Sequence, residues 1–200
     1  MTRSATRRSA GAAVRPLPRR FFARPTLLVA RELLGCSLCH RVGGVTLRGR
    51  IVEVEAYTDD AASHSRGRRP TPRNAVMFGR AGHAYVYFTY GMHFCFNIVS
   101  EADGEPGAVL IRGLEGINGA NGPARLCRAL AIDRRQNCLD LTTGETLWLE
   151  RGRLRAGERV VQTTRVGIRV AADLPWRLYV AGSGGVSRRD RRAEERLLRR

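Results

Sequence analysis

The chain has 200 residues, a length that suits one domain with a sizeable core, and a formal net charge of +17 at pH 7. All 35 of its strongly basic residues are arginine, and a surplus of this size favours a phosphate-rich partner or an anionic membrane surface. No apolar run is long enough to span a bilayer, and five cysteines without a secretion signal argue against a disulfide framework.

The first predicted elements are a tail, a helix and a hairpin. Residues 1–20 hold six arginines and no acid, which predicts a disordered basic tail. Apolar residues at helical spacing predict a helix over TLLVARELLG, with Gly35 as the residue just beyond its C-terminus. The pair Gly43-Gly44 predicts the turn of a hairpin whose second strand is VTLRGRIVEVEAY.

That second strand alternates between apolar and polar residues. A period of two places Glu53, Glu55 and Tyr57 on one face and the apolar residues between them on the other. A long loop over residues 58–80, rich in arginine, proline and serine, follows directly. Loops of this length inside a compact domain are usually functional or disordered. An acidic strand that leads into an arginine-rich loop is the order expected for a catalytic carboxylate beside a polyanion.

The rest of the chain alternates short strands with helices. Two aromatic strands are predicted around Tyr90, followed by the strand AVLIRGLE and a helix that starts at Pro123. Short strands LWLER, RVGIRV and WRLYVAG come next, and RRAEERLLRR can be helical. This order predicts an α+β fold, with one compact domain over residues 21–187, a mostly antiparallel sheet and flanking helices. Residues 188–200 are predicted to be a basic tail or a short helix.

The sequence gives little support for a haem, a zinc site or a metal-dependent nuclease. Cys36-Ser-Leu-Cys39-His40 matches the C-x-x-C-H pattern of covalent haem attachment, which requires an exported chain. No export signal is evident, and we interpret the stretch as a helix end that runs into a strand. No further zinc-ligand spacing accompanies the two cysteines. The histidines and carboxylates are not clustered as a metal-dependent nuclease would need, and we expect neither a metal nor another cofactor.

Three long segments carry a resemblance to a known family. RGRIVEVEAY, HSRGRRPTPRNAVMF and YVYFTYGMHFCFNIVS, in this order, resemble the alkyladenine (3-methyladenine) DNA glycosylase family, and the likeness covers roughly residues 21–187. The resemblance implies a monomeric enzyme that flips a damaged purine out of double-stranded DNA and hydrolyses its N-glycosidic bond. It also implies a β-hairpin that inserts into DNA, no membrane association, and a location in the bacterial cytoplasm at the nucleoid, or in a eukaryotic nucleus.

The resemblance also implies roles for individual residues. Glu55 is the expected general base that activates water, although spacing alone does not choose between it and Glu53. Arg112 is expected to help hold that water. The flipped purine is expected to contact five residues of a pocket, namely Tyr57, His64, Tyr87, Asn97 and Val166. Contacts to DNA are expected from Tyr90 as the inserted side chain and from Met92, Arg66, Arg73 and Arg125.

The substrate range and a second class of function stay open. Because the chain has no lysine, a Schiff-base lyase step through a lysine side chain is impossible, and we expect a monofunctional glycosylase. Its substrates would be alkylated or deaminated purines, namely 3-methyladenine and 7-methylguanine, with hypoxanthine and ethenoadenine as open cases. Only GLEGINGANG separates Arg112 from the next helix, a shorter segment than many relatives have. A non-catalytic binder of structured nucleic acid fits the composition equally well.

Overall fold

The computed structural model describes residues 14–89 and 91–199. The described helices are α1 (Arg19–Phe22), α2 (Thr26–Leu33), α3 (Pro123–Ala129) and α4 (Arg191–Leu198). The described strands are β1 (Ser37–Val42), β2 (Val45–Tyr57), β3 (Ala84–Thr89), β4 (His93–Val99), β5 (Ala108–Glu115), β6 (Leu147–Glu150), β7 (Val160–Thr163) and β8 (Arg177–Val180). Short 3-10 turns lie at Arg66–Arg68, Ala75–Phe78 and Arg134–Gln136.

The strands form one curled antiparallel sheet in the order β3-β4-β5-β2-β1-β6. The β1–β2 hairpin turns at Gly43 and Gly44, whose φ angles of 55° and 79° suit glycine, as predicted. The second half of β2 pairs with β5 on one side and, at Glu53–Glu55, with β8 on the other. β7 completes the sheet by pairing with β8. The predicted α+β domain with an antiparallel sheet is confirmed.

The central position of β2 explains why both of its faces are buried. Val52, Val54 and Ala56 point into the main hydrophobic core, where α2 packs against the strand. Burial of each aliphatic side chain of this kind contributes about 1.5–3 kcal/mol to folding. Glu53 and Glu55 occupy the opposite face and are also fully buried. Buried carboxylates need partners, so this face must supply donors and positive charge.

The N-terminal boundary differs from the predicted one. Residues 14–20, assigned to the tail from their charge, contact the domain: Leu17 is 1% exposed and its N–H donates to the carbonyl of Leu149. Arg19 forms an ion pair with Asp140. The reason is that burial of Leu17 and the ion pair between Arg19 and Asp140 hold these residues on the domain, although their composition is basic. The first 13 residues of the predicted tail lie outside the described part of the chain.

The predicted strand RVGIRV is wrong. Residues 165–170 are a loop that follows β7, and the strand comes earlier, at Val160–Thr163. Gly167 has a φ angle of 77°, which interrupts extended backbone. Residues of this loop make separate tertiary contacts instead of strand pairing. The Arg165 side chain is buried, and the Val166 N–H donates to the Glu55 carboxylate. The predicted C-terminal helix is present as α4, which begins after the N-cap Asp190.

The C-x-x-C-H stretch is part of the core. Cys36 and Cys39 are buried free thiols, and the Nδ1 atom of buried His40 lies 2.6 Å from the carbonyl oxygen of Leu130. Within residues 14–89 and 91–199, no helix has the length and hydropathy that a bilayer crossing requires.

Candidate active site

Glu55 is the centre of the site. Its carboxylate is fully buried and accepts three hydrogen bonds. The Tyr57 hydroxyl and Nη1 of Arg112 donate to Oε2 over 2.9 Å and 3.3 Å, and the Val166 N–H donates to Oε1 over 2.7 Å. A carboxylate offers about four acceptor positions. One position is therefore left on a carboxylate that the protein holds in a fixed orientation.

The structure separates Glu55 from Glu53, which the sequence could not do. Glu53 accepts from Nη1 of Arg177 over 3.0 Å and from the Ser187 N–H over 2.6 Å. Its partners belong to the interior and to the C-terminal segment. The three donors on Glu55, in contrast, all line the same cavity. Glu55 is thus the carboxylate whose hydrogen-bond donors line the open space.

Arg112 reaches both carboxylates from an irregular point in β5. The register runs from Glu53 opposite Gly113 to Val54 opposite Ile111, so Arg112 has no direct partner across the strand pair. A bulge of this kind re-aims a side chain. A side chain on Gly113 would collide with the carbonyl oxygen of Gly185, which shows how closely the C-terminal segment lies against this bulge.

A cavity of about 390 Å³ is lined by the three residues that donate to Glu55. Six of the predicted site residues line it, namely Tyr57, His64, Tyr87, Asn97, Arg112 and Val166. Met77, Cys95, Leu110 and Pro123 add apolar surface. A mostly apolar space with a few directed polar groups is typical of a small-molecule or base site. The structure thus brings together residues that lie up to 109 positions apart in the sequence, from Tyr57 to Val166.

One wall of the cavity is aromatic. The rings of His64 and Tyr87 have centroids 4.6 Å apart and meet edge to face at 74°. The Nδ1 atom of His64 lies 2.7 Å from the hydroxyl of Tyr85, a residue that the sequence analysis did not select. Burial raises the pKa of Tyr85 to about 12, so this hydroxyl keeps its proton. Burial, and then the charge of Arg73, lower the pKa of His64, which favours a neutral ring.

Tyr57 also lines the cavity, and its ring is backed by a buried cation. The Cζ atom of Arg165 lies 4.7 Å from the centroid of this ring, within the range of a cation–π contact. The Arg165 side chain is fully buried and pairs with Asp60 over 2.7 Å. Burial and the adjacent charge of Glu55 raise the pKa of Tyr57, so its hydroxyl stays a donor. Sequence reasoning missed Arg165 and Asp60, since no local pattern distinguishes them from surface charges.

Asn74 organises the long loop that carries His64. The amide is buried and makes four hydrogen bonds within the loop. Its Oδ1 accepts from the N–H and the hydroxyl of Thr71, while Nδ2 donates to the carbonyls of His64 and Arg69. The loop over residues 58–80 is therefore a built structure that fixes His64, and an isolated asparagine in the sequence gave no signal of this.

Asn97 lies on the cavity wall, on β4. Its Nδ2 donates to the backbone carbonyl of Tyr85 over 3.0 Å. Because a carbonyl only accepts, this bond fixes which way the amide is turned. The side chain is thus held in place and cannot swing away from an occupant of the cavity.

Four of the five predicted DNA contacts are exposed surface residues. Arg66 and Arg73, together with Arg169, line a groove of about 420 Å³ that shares His64 with the cavity. Arg125 is exposed on α3, and Met92 is 70% exposed beside the turn of the β3–β4 hairpin. Tyr90, the predicted inserted side chain, lies outside the described residues. Insertion of this hairpin into DNA stays a prediction.

A fixed, buried carboxylate whose donors line an aromatic cavity, beside a groove lined by arginines, defines an enzyme-type site suited to a flat base attached to a polyanion. Comparisons with known proteins agree. The family model described as methylpurine-DNA glycosylase matches residues 20–184. A Carboxydothermus hydrogenoformans protein, provisionally named a 3-methyladenine DNA glycosylase, is 47% identical over 191 residues, which cover 86% of this chain and 99% of that protein. The DNA-3-methyladenine glycosylase of Homo sapiens is 43% identical over 207 residues, which cover 88% of this chain and 69% of the human protein.

The chain therefore belongs to the methylpurine-DNA glycosylase family, and the resemblance stated from its motifs is confirmed. The class of protein is that of the DNA glycosylases, which act in DNA repair. The family match ends at residue 184, so the segment that follows is known here from its contacts alone.

Proposed function

We propose that this protein is a monofunctional DNA glycosylase that excises alkylated purines, with 3-methyladenine and 7-methylguanine as its first substrates. The observation that carries the proposal is the Glu55 carboxylate, which is buried and held by three donors whose residues line an aromatic cavity. A non-catalytic binder has no use for an acid oriented by the lining of such a cavity.

The proposed reaction begins with a flipped nucleotide. The damaged purine enters the cavity that is lined by Tyr57, His64 and Tyr87. The remaining acceptor position of Glu55 takes a hydrogen of a water molecule, with Arg112 beside it. Glu55 removes a proton as the water oxygen bonds to C1′ and the bond from C1′ to the purine nitrogen breaks. The base leaves with the bond electrons, and an abasic site remains.

The exposed arginines support the binding of double-stranded DNA in this proposal. Arg66, Arg73 and Arg125 would contact phosphates around the cavity mouth, which positions the enzyme without reading the sequence. The segment between β5 and α3 is short and folds back on itself, with Asn121 bridging to Gly113 and accepting from Arg125. The enzyme would work as a monomer wherever the cell keeps its DNA.

The test is single-turnover excision with enzyme in excess over duplexes that carry one 7-methylguanine, hypoxanthine or ethenoadenine. Release of 7-methylguanine supports the proposal, and the other two duplexes establish how far the substrate range extends. Tight binding without release of any base would favour a structured-nucleic-acid binder. Because the chain has no lysine, borohydride should trap no cross-link through a side chain during the reaction.

Asn97 is expected to exclude normal guanine. Asn97 lines the cavity and its amide is anchored by the bond to the Tyr85 carbonyl, so in this proposal it would meet the 2-amino group of a guanine in the cavity. We expect Asn97→Ser to raise the excision of undamaged guanine about tenfold or more, since the smaller side chain removes the obstacle. The measurement is guanine release from an undamaged duplex. Unchanged guanine release with normal 7-methylguanine excision would contradict this role.

The neutral state of His64 predicts a pH effect on cationic substrates. Its pKa lies below the usual value of about 6.5, so the ring gains a proton only as the pH falls below this range. The new charge would oppose a cationic base. We therefore expect the enzyme concentration for half-maximal excision of 7-methylguanine to rise as the pH falls from 7 to 5. His64→Gln should lack this rise, and an identical rise in that variant would assign it to another group.

A further inference from the structure

The C-terminal segment Ser183–Arg188 is built into the active site, although it carries no motif. Gly185 lies so close to β5 that an added Cβ would be 2.5 Å from the Leu114 carbonyl oxygen. Ser183 fixes the turn by accepting from the Gly185 N–H and donating to Glu115. The segment then reaches Ser187, which contacts two of the buried charged residues on this face, Arg112 and Glu53.

Arg112 is held from three sides by oxygen atoms. Nη1 donates to Oε2 of Glu55 over 3.3 Å, and Nη2 donates to the hydroxyl of Ser187 over 3.3 Å. Nε lies 3.4 Å from Oε1 of Glu53, a contact that counts as an ion pair and not as a hydrogen bond. Arg112 therefore has two carboxylates within reach. How closely its guanidinium lies to each of them affects how Glu55 is oriented.

Ser187 and Arg177 remove the competition from Glu53. The N–H of Ser187 donates to Oε2 of Glu53 over 2.6 Å, and Arg177 donates to Oε1 over 3.0 Å. With both oxygens occupied, Glu53 attracts Arg112 less strongly. The Ser187 hydroxyl at the same time occupies Nη2, which stops the planar guanidinium from rotating away from Glu55.

We propose that Ser187 is a positioning residue for base excision, which keeps the guanidinium of Arg112 against Glu55 by occupying Nη2 of Arg112 and by donating its N–H to the competing carboxylate Glu53. The inference rests on the proposed function, because it assigns Ser187 a part in the same reaction. The described polar contacts of Ser187 are with Glu53 and Arg112, so Ser187 is expected to act through them and not on the purine. Small displacements of a catalytic group lower rates strongly, and for this reason one hydroxyl can matter at this distance from the reaction.

The experiment compares Ser187→Ala, Ser187→Thr and Ser183→Ala in single-turnover excision of 7-methylguanine. Ser187→Ala removes only the hydroxyl and leaves the N–H on Glu53. We expect its maximal rate to fall about tenfold, as for the loss of a hydrogen bond to a charged group, with the half-saturating enzyme concentration unchanged. Ser187→Thr keeps the hydroxyl and should restore the rate. Ser183→Ala is the matched control, since it loses a hydroxyl of the same segment that does not contact Arg112.

Each outcome separates the two proposals. A wild-type rate in Ser187→Ala would overturn the positioning role while the glycosylase function stands. Equal rate losses in Ser187→Ala and Ser183→Ala, with equal falls in melting temperature, would show a structural effect and also overturn it. If the wild type releases no base from any duplex, the proposed function itself fails and the role of Ser187 falls with it.

Discussion

Glu55→Gln is expected to lower the single-turnover rate of base excision by about 10²- to 10⁴-fold, the range for loss of a general base. The variant should still bind the damaged duplex, since the exposed arginines are unchanged. The measurement pairs the excision rate of 7-methylguanine with the dissociation constant of the same duplex. An undiminished rate would show that another group activates the water.

The hydrogen-bond donors around Glu55 explain why the Glu55→Gln variant is expected to lose excision activity. A glutamine amide has one acceptor oxygen and two N–H groups. Glu55 is surrounded by donors from Tyr57, Arg112 and Val166, so an amide N–H would face another donor and could not accept the water proton. The variant should also unfold more readily, because the charge of Arg112 loses a partner.

Glu53→Gln is the matched control for this experiment. It makes the same change on the same strand and the same buried face, two residues away. Since Glu53 acts only through Arg112, its effect on the rate should not exceed about tenfold. Comparable rate losses in the two variants would mean that the excision step depends on the charge cluster as a whole and not on Glu55 itself.

Arg165→Met is expected to lower the free energy of unfolding by about 3–5 kcal/mol, the usual effect of removing one partner of a buried ion pair. Methionine replaces the stem of the side chain but leaves Asp60, which is almost fully buried, as an unpaired charge. It also removes the donors to the carbonyls of Ala56 and Ala171. Since a domain of this kind is stable by about 5–15 kcal/mol, the loss is large.

The measurement is urea unfolding at pH 7, with Arg135→Met as the control. Arg135 pairs with Asp133 at the surface, where its side chain is 80% exposed, so we expect little change from its removal. Asp60→Asn in the Arg165→Met background should recover part of the loss, because it removes the unpaired charge. Similar stabilities of the Arg165→Met variant and the wild type would show that Asp60 finds another partner.

Much of the fold could be predicted from local patterns. The helix before Gly35, the hairpin at Gly43 and Gly44, and the strand AVLIRGLE occur where periodicity and turn residues placed them. These elements depend on hydrophobic spacing and on glycine conformations, both of which are local properties of the chain. The strand RVGIRV was predicted on the same basis and is a loop, because side-chain and backbone contacts from distant residues outweigh its β propensity.

The candidate site was predicted mainly through its motifs. Alternation put Glu53, Glu55 and Tyr57 on one face of a strand, and the family resemblance pointed to Glu55. The residues that support the site had no such pattern. Asn74, Arg165 and Ser187 each look like ordinary surface residues in the sequence, and their roles depend on partners far away in the chain.

The sequence by itself determined the family, the basic surface, the absence of lysine and the strand that carries two carboxylates. Only the tertiary structure decided which carboxylate is bonded by the residues that line the cavity, because both lie on the same face and differ in their partners. β8 and the C-terminal segment provide the partners of Glu53, while Tyr57, Arg112 and Val166 surround Glu55. The physical reason is that a buried charge is defined by the donors around it, and those donors come from strands and loops that meet only when the sheet curls.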